Sequence, residues 1–191
     1  LNEYASLIVR MGVNLQHDQQ LVVNAPIECA GFARRVASAA YDAGAHDVTV
    51  VWNDEKLARL RYEKGEKRIF TEFPEWRRLL YKDNAEQGAA FVSIHASDPE
   101  IFSGIDPERL TLAQQAAGAA LLEYRQRLMS NKNAWCVVSI PTESWARKVF
   151  PEVAPAEAVE KLWQAIFHAV RLVPGEDAAN RWQEHIRFLA K

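Results

Sequence analysis

Ala40-Tyr41-Asp42-Ala43-Gly44-Ala45-His46-Asp47-Val48-Thr49-Val50-Val51-Trp52 decides the fold class, because one periodicity stops inside it and another begins. Just upstream, Phe32, Val36, Ala40 and Tyr41 recur at helical spacing and mark one apolar face. Gly44 ends that face, as a residue free of Cβ commonly does after a helix. Val48 to Trp52 is then β-branched and apolar and reads as a strand, and Asn53-Asp54 closes it.

The same helix-then-strand unit recurs in both directions. Upstream, Tyr4, Leu7, Ile8 and Met11 follow helical spacing with Gly12 as the stop, and Gln20 to Asn24 forms a strand around Leu21-Val22-Val23, closed by Pro26. Downstream come a helix rich in Lys, Arg and Glu, a second helix after Pro74, and a third strand from Ala89 to His95. Asp106-Pro107 opens one long helix whose inner face is Leu110, Ala113, Ala117, Leu121, Tyr124 and Leu128. Trp135-Cys136-Val137-Val138-Ser139-Ile140 is a fourth strand, stopped by Pro141. Strands separated by helices imply right-handed crossovers and a sheet covered on both sides. The expected class is α/β: a three-layer α/β/α domain with a mostly parallel sheet of about four strands. After Pro155 the alternation gives way to extra C-terminal helices, one striped by Val159, Leu162, Trp163, Ile166, Phe167 and Val170, the last carrying Trp182, Ile186 and Leu189. No repeat or low-complexity linker interrupts the chain, so residues 1–191 read as a single domain.

Composition excludes several function classes. A 49% hydrophobic, 25% charged chain is neither disordered nor a membrane span, and no apolar run reaches bilayer length. The net charge is −2 with both signs interleaved, which argues against nucleic acid as a partner. The doublets Arg34-Arg35 and Arg77-Arg78 fall on helical patterns and read as solvated faces. Leu1-Asn2-Glu3-Tyr4 is no export signal, and Cys29 and Cys136 read as free thiols among apolar neighbours; both point to the cytoplasm. The chain opens inside a helical pattern without methionine and closes at Arg187-Phe188-Leu189-Ala190-Lys191 without a glycine or asparagine cap. Both ends read as cut from something longer.

Catalytic motifs are not evident. His168 and His185 sit on amphipathic patterns, and neither begins a paired-histidine helix motif that would hold a metal. The eight glycines are scattered, so no phosphate-cradling loop links a strand to a helix. Ser139 lies within a strand and Ser144 in a turn, neither in a nucleophile elbow. Parallel sheets collect ligands beyond the carboxyl ends of their strands. Those ends supply His95, Asp98, Thr142 and Trp145 as candidate cleft-lining residues. Ser97 or Asp98 before Pro99 also suits a helix N-cap, as does Thr142 after Pro141, so His95 and Trp145 are the residues with fewer structural duties. On residues alone, a stand-alone α/β module for a small ligand is the alternative reading.

A resemblance narrows the choice. Tyr4-Ala5-Ser6-Leu7-Ile8-Val9 with Gly12-Val13, then Ala40 to Val48, Trp52 with Asp54, Ser97-Asp98-Pro99 and Gly104-Ile105-Asp106 occur in a recognisable order. Pro141-Thr142-Glu143-Ser144-Trp145-Ala146 running to Val149-Phe150-Pro151, Leu162 to Phe167, and Trp182-Gln183-Glu184-His185 complete the series. The chain resembles the amino-terminal half of the thermophilic metallo-aminopeptidase family (the aminopeptidase T, AmpS and PepS group). The resemblance implies a cytoplasmic, dimeric exopeptidase that removes amino-terminal residues from peptide substrates with two divalent metal ions, zinc, cobalt or similar. It also implies that the metal ligands belong to a carboxy-terminal catalytic domain of the same chain. No metal ligand and no catalytic residue is carried over to this segment, which is expected to be inert alone, to wall the substrate cleft and to support the dimer.

Overall fold

A computed structural model describes residues 1–173 and 175–190. Four strands form one parallel sheet in the order β2-β1-β3-β4: β1 is Gln20–Pro26, β2 Asp47–Asn53, β3 Ala90–His95 and β4 Trp135–Ser139. Central β1 pairs Leu21 with Val48 on one side and with Ala90 on the other, while β3 aligns Phe91 with Trp135. Leu21, Val22 and Val23 are wholly buried, as a strand covered on both faces requires.

Helices cover the sheet unequally. One face carries α1 (Asn2–Leu7), α2 (Ala30–Asp42), α7 (Glu143–Val149), α8 (Pro155–Ala169) and α9 (Ala178–Leu189). Its core runs through Tyr4, Val9, Phe32, Val36, Leu162 and Ile166 against Leu21, Val23 and Val92. Tyr4 anchors this layer, its ring 5.3 Å from Phe32 and edge-on to Phe167 at 5.9 Å. The opposite face is thinner: α4 (Glu75–Glu86) and α6 (Leu122–Met129) bring Ala85, Tyr81, Tyr124 and Leu128 onto Val22, Val51 and Phe91. The step from β1 to β2 moves one way through α2; the steps to β3 and β4 move the other way through helices on the opposite face. All three crossovers therefore share one hand, the right-handed sense of such units.

Among the described residues, Asn133 is the buried polar one of the core, 2% exposed. Its amide donates to the carbonyls of Ala85 (3.0 Å) and Ala89 (2.9 Å), and its Oδ1 accepts from Arg127 Nε at 3.0 Å. Arg127 Nη2 reaches the same Ala85 carbonyl at 2.8 Å. This cluster ties the ends of α4 and α6 to the entry of β4.

A satellite unit lies beside the sheet. Here α3 (Glu55–Lys64), a 3₁₀ turn at Lys67–Phe70, turns at 99–104 and α5 (Pro107–Ala120) surround the fully buried Phe70. Tyr62 stacks on Phe70 at 5.1 Å, and the guanidinium groups of Arg61 and Arg109 lie over the same ring at 4.9 and 5.6 Å. Arg109 Nη1 donates to the carbonyls of Tyr62 (2.6 Å) and Gly65 (2.9 Å), and Arg59 Nη1 to those of Ile101 and Ser103. Neither α3 nor α5 contributes a buried residue of its own.

Several local expectations are revised. The first helix continues as a π-helical turn over Ile8–Gly12, and Gly12 is not a left-handed stop; Asn14 takes the positive φ (44°) instead. A Cβ on Gly12 would lie 2.9 Å from Cys136 Sγ, so glycine is required by close approach to β4. Gly44 does take the left-handed conformation (φ 88°). β1 runs past Asn24 and closes on Pro26, its last residue. The long helix after Pro107 breaks at Leu121 into α5 and α6, and of its expected inner face only Leu128 is buried. No helix follows Pro99: Asp98 Oδ1 accepts from Glu100 N (2.9 Å) and the chain turns. Cys29 and Cys136 are both free thiols.

Candidate functional site

The strand order reverses between β1 and β3, so the crevice beyond their carboxyl ends is where such sheets receive ligands. His95 ends β3 at that place with an exposed side chain, while its carbonyl accepts from Ile140 N (2.8 Å). Asp98 lies three residues further, half-buried, its N–H donating to Glu55 Oε2 at 3.1 Å. Thr142 caps α7 by accepting from Trp145 N (3.2 Å), and its hydroxyl also approaches the Ser97 carbonyl at 3.5 Å. Asp98 and Thr142 are thus brought to one rim. A concavity of about 480 Å³ beside them is lined by Asp98, Glu100, Ser144, Arg147 and Lys148, with Lys148 and Glu100 paired at 2.7 Å.

Trp145 points elsewhere. Its ring packs on the core and forms part of a cavity of about 560 Å³ along β4, with Tyr4, Met11, Ile166, Trp182 and Ile186 as other walls. The lining is overwhelmingly apolar. Tyr4 reaches across it to donate its hydroxyl to the Ser139 carbonyl at 3.4 Å; burial pushes this phenol up to about 12. Burial likewise raises the Cys136 thiol, which leaves it a poor nucleophile at neutral pH.

Sequence alone does not single out this cavity. Tyr4, Leu7, Ile8 and Met11 read there as an ordinary core stripe, which they partly are. The overlooked signal is Trp135-Cys136-Val137-Val138, an unbroken apolar run of the kind found inside a sheet. In the fold it is an edge strand, with Trp135 39% and Val137 52% exposed.

The chain belongs to the thermophilic metalloprotease (M29) family, whose profile matches residues 1–191. It is 42% identical over 191 residues to Aminopeptidase 2 of Geobacillus stearothermophilus, covering all of this chain and 46% of that protein. Aminopeptidase T of Thermus aquaticus is 37% identical over 192 residues, covering 99% of this chain and 46% of the relative. The solved structure of wild-type AmpT from Thermus thermophilus superposes with a TM-score of 0.87 at 33% identity, covering 97% of this chain and 45% of that one. The chain therefore spans about half the length of the relatives it matches.

The family is described as metal-dependent, so the donor set can be tested. Among the described residues no three His, Cys, Asp or Glu side chains converge as a metal site would require. The described residues therefore offer no donor set that fits a resident divalent ion. Among the same residues, no helix is long and apolar enough to cross a membrane.

Proposed function

We propose that residues 1–191 form the amino-terminal, non-catalytic domain of a two-domain metallo-aminopeptidase that removes N-terminal residues from peptides. The observation that carries this reading is the family match over the whole chain combined with its span of under half of each relative. In this reading two divalent ions, zinc or cobalt or similar, are held by a carboxy-terminal domain of the same polypeptide, and the enzyme works as a cytoplasmic homodimer. His95, Asp98 and Thr142 border the peptide cleft beyond the strand ends, and Trp145 fixes the start of α7 from behind. The exposed imidazole of His95 at the topological switch point supports its place on that border.

The test compares the full-length protein with residues 1–191 on leucine p-nitroanilide and on short peptides, each after chelation and after readdition of zinc or cobalt. Metal-dependent release of N-terminal residues is expected from the full-length protein alone. Turnover by residues 1–191 overturns the division of labour, and a full-length protein inactive under every metal overturns the enzyme assignment.

A further inference from the structure

β4 has the composition of an interior strand and the position of an edge. Long apolar edges are normally blunted by charge, proline or a covering element, because their free N–H and C=O groups recruit other strands. β4 between Trp135 and Ser139 has none of those residue types. Its pairing pattern fixes which groups are free: Ala134 C=O accepts from Phe91 N and Ile140 N donates to His95 C=O, so even-numbered residues face β3. Trp135, Val137 and Ser139 therefore direct their N–H and C=O groups to the open side. At Ser139 the Tyr4 hydroxyl already reaches the outward carbonyl.

The apolar cavity runs along this open edge, and Trp182 and Ile186 of α9 form its far wall. Beyond that wall α9 keeps Phe188 and Leu189 largely exposed. Polypeptide following α9 thus emerges next to the unpaired edge. The relatives are about twice this chain's length, so the supply of such polypeptide rests on the two-domain reading above.

We propose that a strand from the polypeptide following α9 pairs with the free edge of β4 in the full-length protein and seats a large apolar side chain in the cavity beneath. Handedness sets its direction. The helices after β4 lie on the α2 face, whereas the crossovers that move the sheet toward β4 use the opposite face. A parallel strand added at β4 through them would need the disfavoured left-handed connection, so the added strand runs antiparallel.

The test is amide hydrogen exchange on the full-length protein, read residue by residue along β4 by NMR. Outward Val137 and Ser139 amides are expected to exchange within about tenfold of the inward Cys136 and Val138 amides. Exchange of Val137 and Ser139 a hundredfold or more faster than their neighbours overturns the proposal. So does protection that vanishes when the protein is diluted to monomer, which would place a second copy on the edge. Protection with short cross-strand Hα–Hα contacts supports the antiparallel form; protection without them overturns that orientation. A protected edge in a protein without peptidase activity would sink the enzyme reading alone, and an active enzyme with a free edge would sink this one alone.

Discussion

Replacing Asn133 by leucine keeps the branched, four-atom side-chain skeleton and removes all three of its hydrogen bonds. Ala89 C=O loses the amide donor at 2.9 Å, and Arg127 Nε loses its acceptor at 3.0 Å. Ala85 C=O keeps Arg127 Nη2 at 2.8 Å and is not orphaned. Each buried group left unpaired costs about 1–3 kcal/mol, and water recovers part of the loss at half-exposed Arg127. Asn133→Leu should therefore destabilise the fold by about 2–4 kcal/mol. At a urea slope of about 2 kcal/mol/M, the unfolding midpoint should fall by about 1–2 M. Arg127→Met is the matched comparison: Ala85 C=O then keeps the Asn133 amide at 3.0 Å, leaving Asn133 Oδ1 as the one orphan. Its loss should be smaller, about 1–2 kcal/mol. Tryptophan fluorescence and far-UV circular dichroism in parallel urea titrations measure both. A loss under about 1 kcal/mol for Asn133→Leu, or a larger loss for Arg127→Met, would refute the claim that this buried amide holds the β4 entry.

Gly12→Ala drives a methyl against Cys136 Sγ and should cost about 1–3 kcal/mol; Cys136→Ala in that background should recover part of it, and strict additivity in thermal melts would count against close approach as the cause. Tyr4 titrates near 12 when folded against an ordinary value of 10, so its contribution is complete below pH 10 and is lost as pH rises from 10 to 12. That two-unit difference corresponds to about 3 kcal/mol, and Tyr4→Phe should flatten this part of the alkaline unfolding profile; an unchanged slope would contradict it. Under the proposed two-domain reading, His95→Ala in the full-length protein should alter kcat/KM with melting nearly unchanged, whereas Trp145→Ala should lower the melting temperature. Kinetics indifferent to His95→Ala would remove it from the cleft border.

Much of the fold was legible because the strands are homogeneous. Val48 to Trp52 and Leu21 to Val23 carry no polar alternation, and their separation by helical stripes leaves few topologies beyond a parallel α/β sheet. Sheet order was not legible, since β4 and β1 have the same apolar character although one lies at the edge and the other at the centre. Boundaries slipped in two places: at Gly12, where close approach to Cys136 overrides the usual stop, and at Leu121, where the helix breaks although periodicity would continue it. At the strand ends, Thr142 showed its capping role in sequence. Asp98 did not, because an Asx-type turn and a helix N-cap use the same residues until the next turn is placed. The cavity escaped notice because each wall residue belongs to a stripe that reads as core when taken singly.

The cluster around Phe70 has a consequence for how the molecule comes apart. With no buried residue in α3 or α5, that unit shares little apolar volume with the sheet, and its guanidinium–carbonyl contacts run between its own segments. It should open as a separate cooperative piece at a free energy below that of the sheet. Limited proteolysis at residues 99–104 would then leave the strands paired and the neighbouring helices in place. The domain would wear away from this flank first, keeping its central β1–β3 ladder until last.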